Sequence, residues 1–206
     1  MGGVTTTTSD APTPAALRIS TDGTITGRSS QYRKHLGDLA GVYRDSAAYE
    51  AEVQRLGADH LVYSVDESRV ADGPGALTIG TSTLLPGRVG DELALTRGHL
   101  HAVPDRAELY HCLSGSGLLI LETLDGDSEV YPLQAGDALH VPGHWVHRSV
   151  NVGDVPFVSL FCYNTDAGQD YDLIAEAGGM ATLVVTDGDG GWTTRRNPDH
   201  RGYALR

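Results

Sequence analysis

The chain has 206 residues, 40% of them hydrophobic, which is enough for one well-filled core and too few for two ordinary domains. Lys and Arg number 15 against 27 Asp and Glu, and the formal net charge of -12, with no basic stripe to override it, argues against nucleic acid or an anionic membrane surface as partner. Lysine occurs once, at Lys34, so an anionic ligand must be held by arginines, hydroxyls or backbone amides.

Residues 1–16 are rich in Thr, Ala and Pro, lack periodic apolar positions, and read as a disordered tail ahead of a single domain over 17–206. They contain no apolar signal core, and no stretch of the chain reaches the ~18 apolar residues of a spanning helix. Cys112 and Cys162 sit in apolar runs and read as buried free thiols, so a soluble, cytoplasmic protein is expected. The segment Ser46 to Leu56 has helical composition, with Ser46 placed to cap its start and Gly57 to end it. From Leu61 the pattern changes to short runs of Val, Leu, Thr and Tyr, with strands expected near 61–66, 76–85, 92–101, 107–113, 117–123, 128–133, 137–141, 146–150, 156–163 and 181–186. Turn residues such as Ser114-Gly115-Ser116-Gly117, Asp125-Gly126 and Pro142-Gly143 punctuate them, and this all-β pattern favours a jelly-roll barrel.

Of nine histidines, six (His99, His101, His111, His140, His144 and His147) crowd into residues 99–147. Alternate side chains of a strand share a face, so His99 and His101 can reach one ion. Glu108, Tyr110 and Cys112 share a face of the next strand, while His111 points the other way. His147 returns after the Pro142-Gly143 turn. Three neutral imidazoles and a carboxylate suit one divalent metal ion, Fe(II), Mn, Ni or Zn, with positions open for water or substrate. His35, His60, His111, His140 and His200 read as structural or surface residues, whereas His144 lies in a turn where it can touch a ligand. Arg97, Arg106 and Arg148 flank the candidate ligands.

Gly98-His99-Leu100-His101, then Glu108 and Gly115, resembles the first motif of the cupins, with a longer gap before the glutamate. Gly136, Pro142, His147 and Asn151 resemble the second motif, with His144 where glycine is commonest. That long gap, Thr96-Arg97-Gly98-His99, the run Val141 to Asn151 and Asp166-Ala167-Gly168-Gln169-Asp170-Tyr171 are together similar to the cupin-type glucose-6-phosphate isomerases of archaea and some bacteria. The similarity runs from about Leu17 to about Pro198.

The resemblance implies a double-stranded β-helix with one or two short N-terminal helices, and a homodimer. It implies an Fe(II)-favouring metal site of His99, His101, Glu108 and His147. Glu108, Tyr110 and Tyr163 become catalytic candidates, and Ser82, Thr96, Arg97, Gly98, Tyr163 and Tyr171 candidates for holding a sugar phosphate. The expected reaction interconverts glucose 6-phosphate and fructose 6-phosphate through a cis-enediol(ate), a step of glycolysis and gluconeogenesis. Gln169 departs from the family's usual histidine. Alternatives are a metal-dependent cupin dioxygenase, an isomerase of another sugar phosphate, or a non-catalytic sugar-binding cupin.

Overall fold

The computed structural model describes residues 14–28, 30–73 and 75–204; residues 1–13 of the expected tail lie outside them. Two short helical elements come early: a 3-10 turn, Leu36–Leu39, and α1, Ser46–Leu56. The span of α1 is the expected one, but its cap is Asp45 rather than Ser46. Asp45 has extended backbone angles and its carboxylate accepts the amide of Ala48, satisfying a donor that the first turn leaves open.

Among the described residues thirteen strands follow or flank these helices. A six-stranded antiparallel sheet runs in the order β1 (Ser30–His35), β2 (Leu61–Arg69), β3 (Leu77–Leu84), β11 (Phe157–Asn164), β6 (Glu108–Ser114), β9 (Ala138–Val141). Facing it is a three-stranded sheet ordered β10 (Trp145–Asn151), β7 (Ser116–Thr123), β8 (Ser128–Gln134), which residues 95–99 extend by two bridges, Leu95 to Val150 and His99 to His147. From β6 onward the chain passes back and forth between these two sheets, β6 to β7 and β8, then β9, β10 and β11, with β11 returning between β3 and β6, which is the jelly-roll topology expected from the sequence. A smaller sheet, β13 (Trp192–Arg196), β12 (Thr182–Thr186), β5 (Glu92–Leu93), β4 (Arg88–Val89), backs the barrel. The short helix α2, Asp172–Glu176, sits near the cavity mouth, and the strands β1 and β13 were not anticipated.

The buried apolar side chains form one cluster reaching from Leu39 through Leu118, Val146 and Phe157 to Met180. Cys112 and Cys162 are free thiols, the first fully buried and the second half-buried. Among the described residues, no helix is long and apolar enough to cross a membrane.

The expected strand over 92–101 is replaced by something more particular. Leu95 pairs with Val150 but His99 pairs with His147, so three residues, Thr96 to Gly98, oppose two, Arg148 and Ser149. This is a one-residue β-bulge, and Gly98 carries its left-handed conformation at φ 71°. A Cβ at Gly98 would come within 3.0 Å of Arg148 Cβ, the His147 carbonyl oxygen and Ile174 Cδ1. From the outer face of β10, Arg148 donates through Nη2 to the Arg97 carbonyl at 2.7 Å and so ties the bulge down. Side chains alternate with a period of two, and the extra residue reverses that parity: Leu95 packs outward while His99 turns into the barrel.

Candidate metal centre and substrate cavity

The bulge, β6 and β10 bring His99, His101, Glu108 and His147 together, with one donor atom from each lying within 4.8 Å of the others. Glu108 and His147 are 3% and 2% exposed, so the cluster lies inside the barrel. Glu108 Oε2 is 3.0 Å from His147 Nε2, and 3.2 Å from His101 Nε2 though off the hydrogen-bonding direction. Two Nδ1 atoms are held by backbone: His101 Nδ1 donates to the Arg106 carbonyl at 2.8 Å and His147 Nδ1 to the Trp145 carbonyl at 3.0 Å. Because a carbonyl only accepts, those protons sit on Nδ1 and the Nε2 lone pairs face the cluster.

Two of those nitrogens, Nε2 of His99 and of His101, are buried without a hydrogen-bond partner. Orphaned buried acceptors converging on a carboxylate are costly in a folded core. A divalent ion removes that cost, so the donor set fits a metal. Electrostatics prepares the site accordingly. Burial and the neighbouring His147 push the His99 imidazole well below its ordinary value, keeping it neutral and able to ligate. Burial alone would raise the Glu108 carboxyl, but the imidazoles of His101 and His147 beside it outweigh that and hold the group well below the usual carboxylate range.

The cavity around the cluster is lined by Tyr110 from β6, Ser82 from β3, Tyr163 from β11, Thr96 and Gly98 from the bulge, and Tyr171 and Gln169 from the loop before α2. A bridge between Leu100 and Asp170 holds that loop at the mouth. Burial, reinforced by the charge of Glu108, raises the Tyr110 hydroxyl far above its ordinary value, so it is a proton donor at any working pH. Arg97 does not line the cavity itself; its guanidinium stacks over Tyr171 at 4.8 Å from the ring centre. Arg106 pairs with Asp166 at 2.9 Å on the surface, outside the cavity. His144 is exposed, with a strained φ of 68°, and does not line the cavity.

The lining residues that were missed include Tyr32 on β1, Tyr63, Val65 and Glu67 on β2, and Phe161 on β11. The alternation Tyr63, Val65, Glu67 on the inner face of β2 carried the signal, because a carboxylate on an inward strand position requires a reason.

Comparison with known proteins identifies the family. A family model described as glucose-6-phosphate isomerase matches residues 33–201. The chain belongs to the glucose-6-phosphate isomerase family. A glucose-6-phosphate isomerase of Sinorhizobium medicae is 44% identical over 91% of this chain and 88% of its own. Proteins of the same name from Thermococcus kodakarensis and Pyrococcus furiosus are 39% and 38% identical, covering 85% and 81% of this chain and 92% and 87% of theirs. Among solved structures, oxalate oxidase in complex with the substrate analogue glycolate aligns over 53% of this chain and 55% of that one, with a TM-score of 0.44 and 23% identity. The family's relationship therefore spans the bulge, both histidine-bearing segments and the loop that carries Gln169.

Proposed function

We propose that this protein is a metal-dependent aldose-ketose isomerase that interconverts glucose 6-phosphate and fructose 6-phosphate through a cis-enediol(ate). The observation that carries this is the convergence of four buried donors, two of them without hydrogen-bond partners, in a chain whose family is that of glucose-6-phosphate isomerases. His99, His101, Glu108 and His147 hold one divalent ion, Fe(II) in preference to Mn, Ni or Zn. When bound, it supplies a Lewis acid beside the carbonyl and hydroxyl of C1 and C2.

The chain's own residues do the rest. Glu108 directs Oε2 at the imidazoles, which leaves Oε1 to take and return the proton that moves between C1 and C2. Its lowered carboxyl keeps it ionised and therefore always in the accepting form. Tyr110 donates to an oxygen of the intermediate, and Tyr163 orients the sugar hydroxyls. Ser82, Thr96, Gly98, Tyr163 and Tyr171, with Arg97 behind Tyr171, hold the remainder of the sugar phosphate. Closure of the cavity by Tyr32 and Tyr63 limits water around the enediol(ate).

A single domain over 17–206 is supported by the one contiguous core. Homodimer formation is supported by the half-exposed Leu77 and Leu109 on the outer face of the six-stranded sheet, and a cytoplasmic role in glycolysis and gluconeogenesis follows from the substrate. The deciding experiment loads purified protein with Fe(II), Mn, Ni or Zn and follows fructose 6-phosphate conversion by a coupled glucose 6-phosphate readout. Turnover with at least one metal is expected, and none with any metal rejects the activity.

A further inference from the structure

The wall of the cavity carries a hydrogen-bonded chain that neither the barrel nor the proposed proton transfer requires. Tyr163 Oη donates to Glu67 Oε1 at 3.1 Å and receives a hydrogen bond from Gln169 Nε2 at 3.3 Å. Ser30 Oγ donates to the other Glu67 oxygen at 3.1 Å. Glu67, Tyr163 and Gln169 border both the inner cavity and a groove outside it, so the chain stands at the boundary between the two.

Proton counting fixes the polarity of this chain. A carboxylate only accepts, whereas a phenol has one proton and two lone pairs. With the phenolic proton given to Glu67, the Gln169 atom facing Tyr163 must be the amide nitrogen, which fills one lone pair. Tyr163 then keeps a single acceptor site and nothing to donate.

We propose that Glu67 is a positioning residue that fixes Tyr163 as an acceptor, so that this part of the cavity takes a ligand hydroxyl and refuses a phosphate. The ligand class rests on the isomerase reading given above. A phosphate placed here meets a like charge on Glu67 and a phenol without a proton to give. Arg69 also borders the outer groove, where it is paired with Asp72 at 2.6 Å; within the inner cavity the groups that suit an anion are the hydroxyls of Ser82 and Thr96 and the Gly98 amide. In the β2–β3 register Glu67 faces Gly80, and Ser82 is one inward position, about 7 Å, along the strand.

The test is calorimetric titration of metal-loaded protein with glucitol 6-phosphate and, separately, with inorganic phosphate. Parent, Glu67→Ala, Glu67→Leu, Glu67→Gln, Tyr163→Phe and the Glu67→Ala/Tyr163→Phe double variant are compared. Glu67→Ala, Glu67→Leu and Tyr163→Phe are each expected to weaken glucitol 6-phosphate by about tenfold. The double variant should bind no more weakly than Tyr163→Phe alone, because the two residues act as one unit. Glu67→Gln, whose amide oxygen still accepts from Tyr163, should restore most of the affinity, and inorganic phosphate should bind Glu67→Ala as well as or better than the parent. Equal losses for both ligands, additive losses in the double variant, or no glucitol 6-phosphate binding by the parent overturns the inference. A parent that shows the Glu67 dependence but turns over no fructose 6-phosphate keeps this inference and removes the isomerase activity.

Discussion

Three glutamates, Glu92, Glu108 and Glu122, are buried in this protein, and the last two live by different rules. Glu122, in β7, is fully buried and accepts from the backbone amides of Ala181 and Thr182 at 2.9 and 2.8 Å and from the Tyr203 hydroxyl at 2.5 Å. Each of these groups is a donor, and they come from the segment 181–203, which Glu122 ties to the barrel's back. Glu108 is equally inaccessible, but its neighbours are imidazole nitrogens that have lone pairs to offer, two of them orphaned. Burial of a charge therefore does not mark a site. What marks it is whether the surrounding groups are satisfied without a ligand.

Glu108→Gln tests one side of that contrast. It is expected to lower kcat by about a hundredfold or more, and a variant that retains its metal and near-normal turnover removes Glu108 from proton transfer. Glu122→Ala tests the other: it strands two backbone amides and should cost about 3 kcal/mol in denaturant unfolding, while the protein that remains folded keeps its specific activity. Loss of activity at full stability in that variant would erase the distinction between the two residues.

Metal addition sharpens the contrast. A divalent ion at one hundred times its Kd should stabilise the parent by about 2.7 kcal/mol, stabilise Glu122→Ala equally, and leave His99→Ala unchanged in thermal unfolding. Acid separates the metal-free forms. The Glu108 carboxyl is lower in the folded state than the ordinary 4.5, so its contribution to stability is present above that value and is lost as pH falls below it. The parent should accordingly lose stability more steeply than Glu108→Gln as pH drops below 4.5. The smallest expected effect lies at the turn that leads into β10. His144 has φ 68°, and His144→Gly should stabilise by about 1 kcal/mol, measured by chemical denaturation, without altering turnover.

Much of this was legible in the sequence, and the gaps have physical causes. The helix over 46–56 and the inward face of Glu108, Tyr110 and Cys112 follow from composition and strand parity, which are local properties. The polar, exposed strands β1 and β13 lack that alternation: Ser30–His35 is mostly exposed and Thr193–Arg196 entirely so. Their pairing with β2 and β12 is decided by tertiary contact. Tyr63 falls in the strand expected near 61–66 and Glu67 just past its end, but which face was inward depended on a register with β3 that no local signal states. Simple alternation correctly put His99 and His101 on one side, yet it could not show that an extra residue had turned both of them inward.

That extra residue has a consequence for how the chain can vary in length. Between Leu95 and His99, one insertion or deletion would swing His99 and His101 to the outside of the barrel, and it would do so without changing either residue. Between His101 and Glu108 no such constraint acts, because the direction of Glu108 is set independently by the pairing of β6 with β9 and β11. Natural variation in this fold should therefore accumulate as loops of different length over 102–107, while the spacing from 95 to 99 stays invariant, the bulge at Gly98 acting as a fixed ruler for the ion.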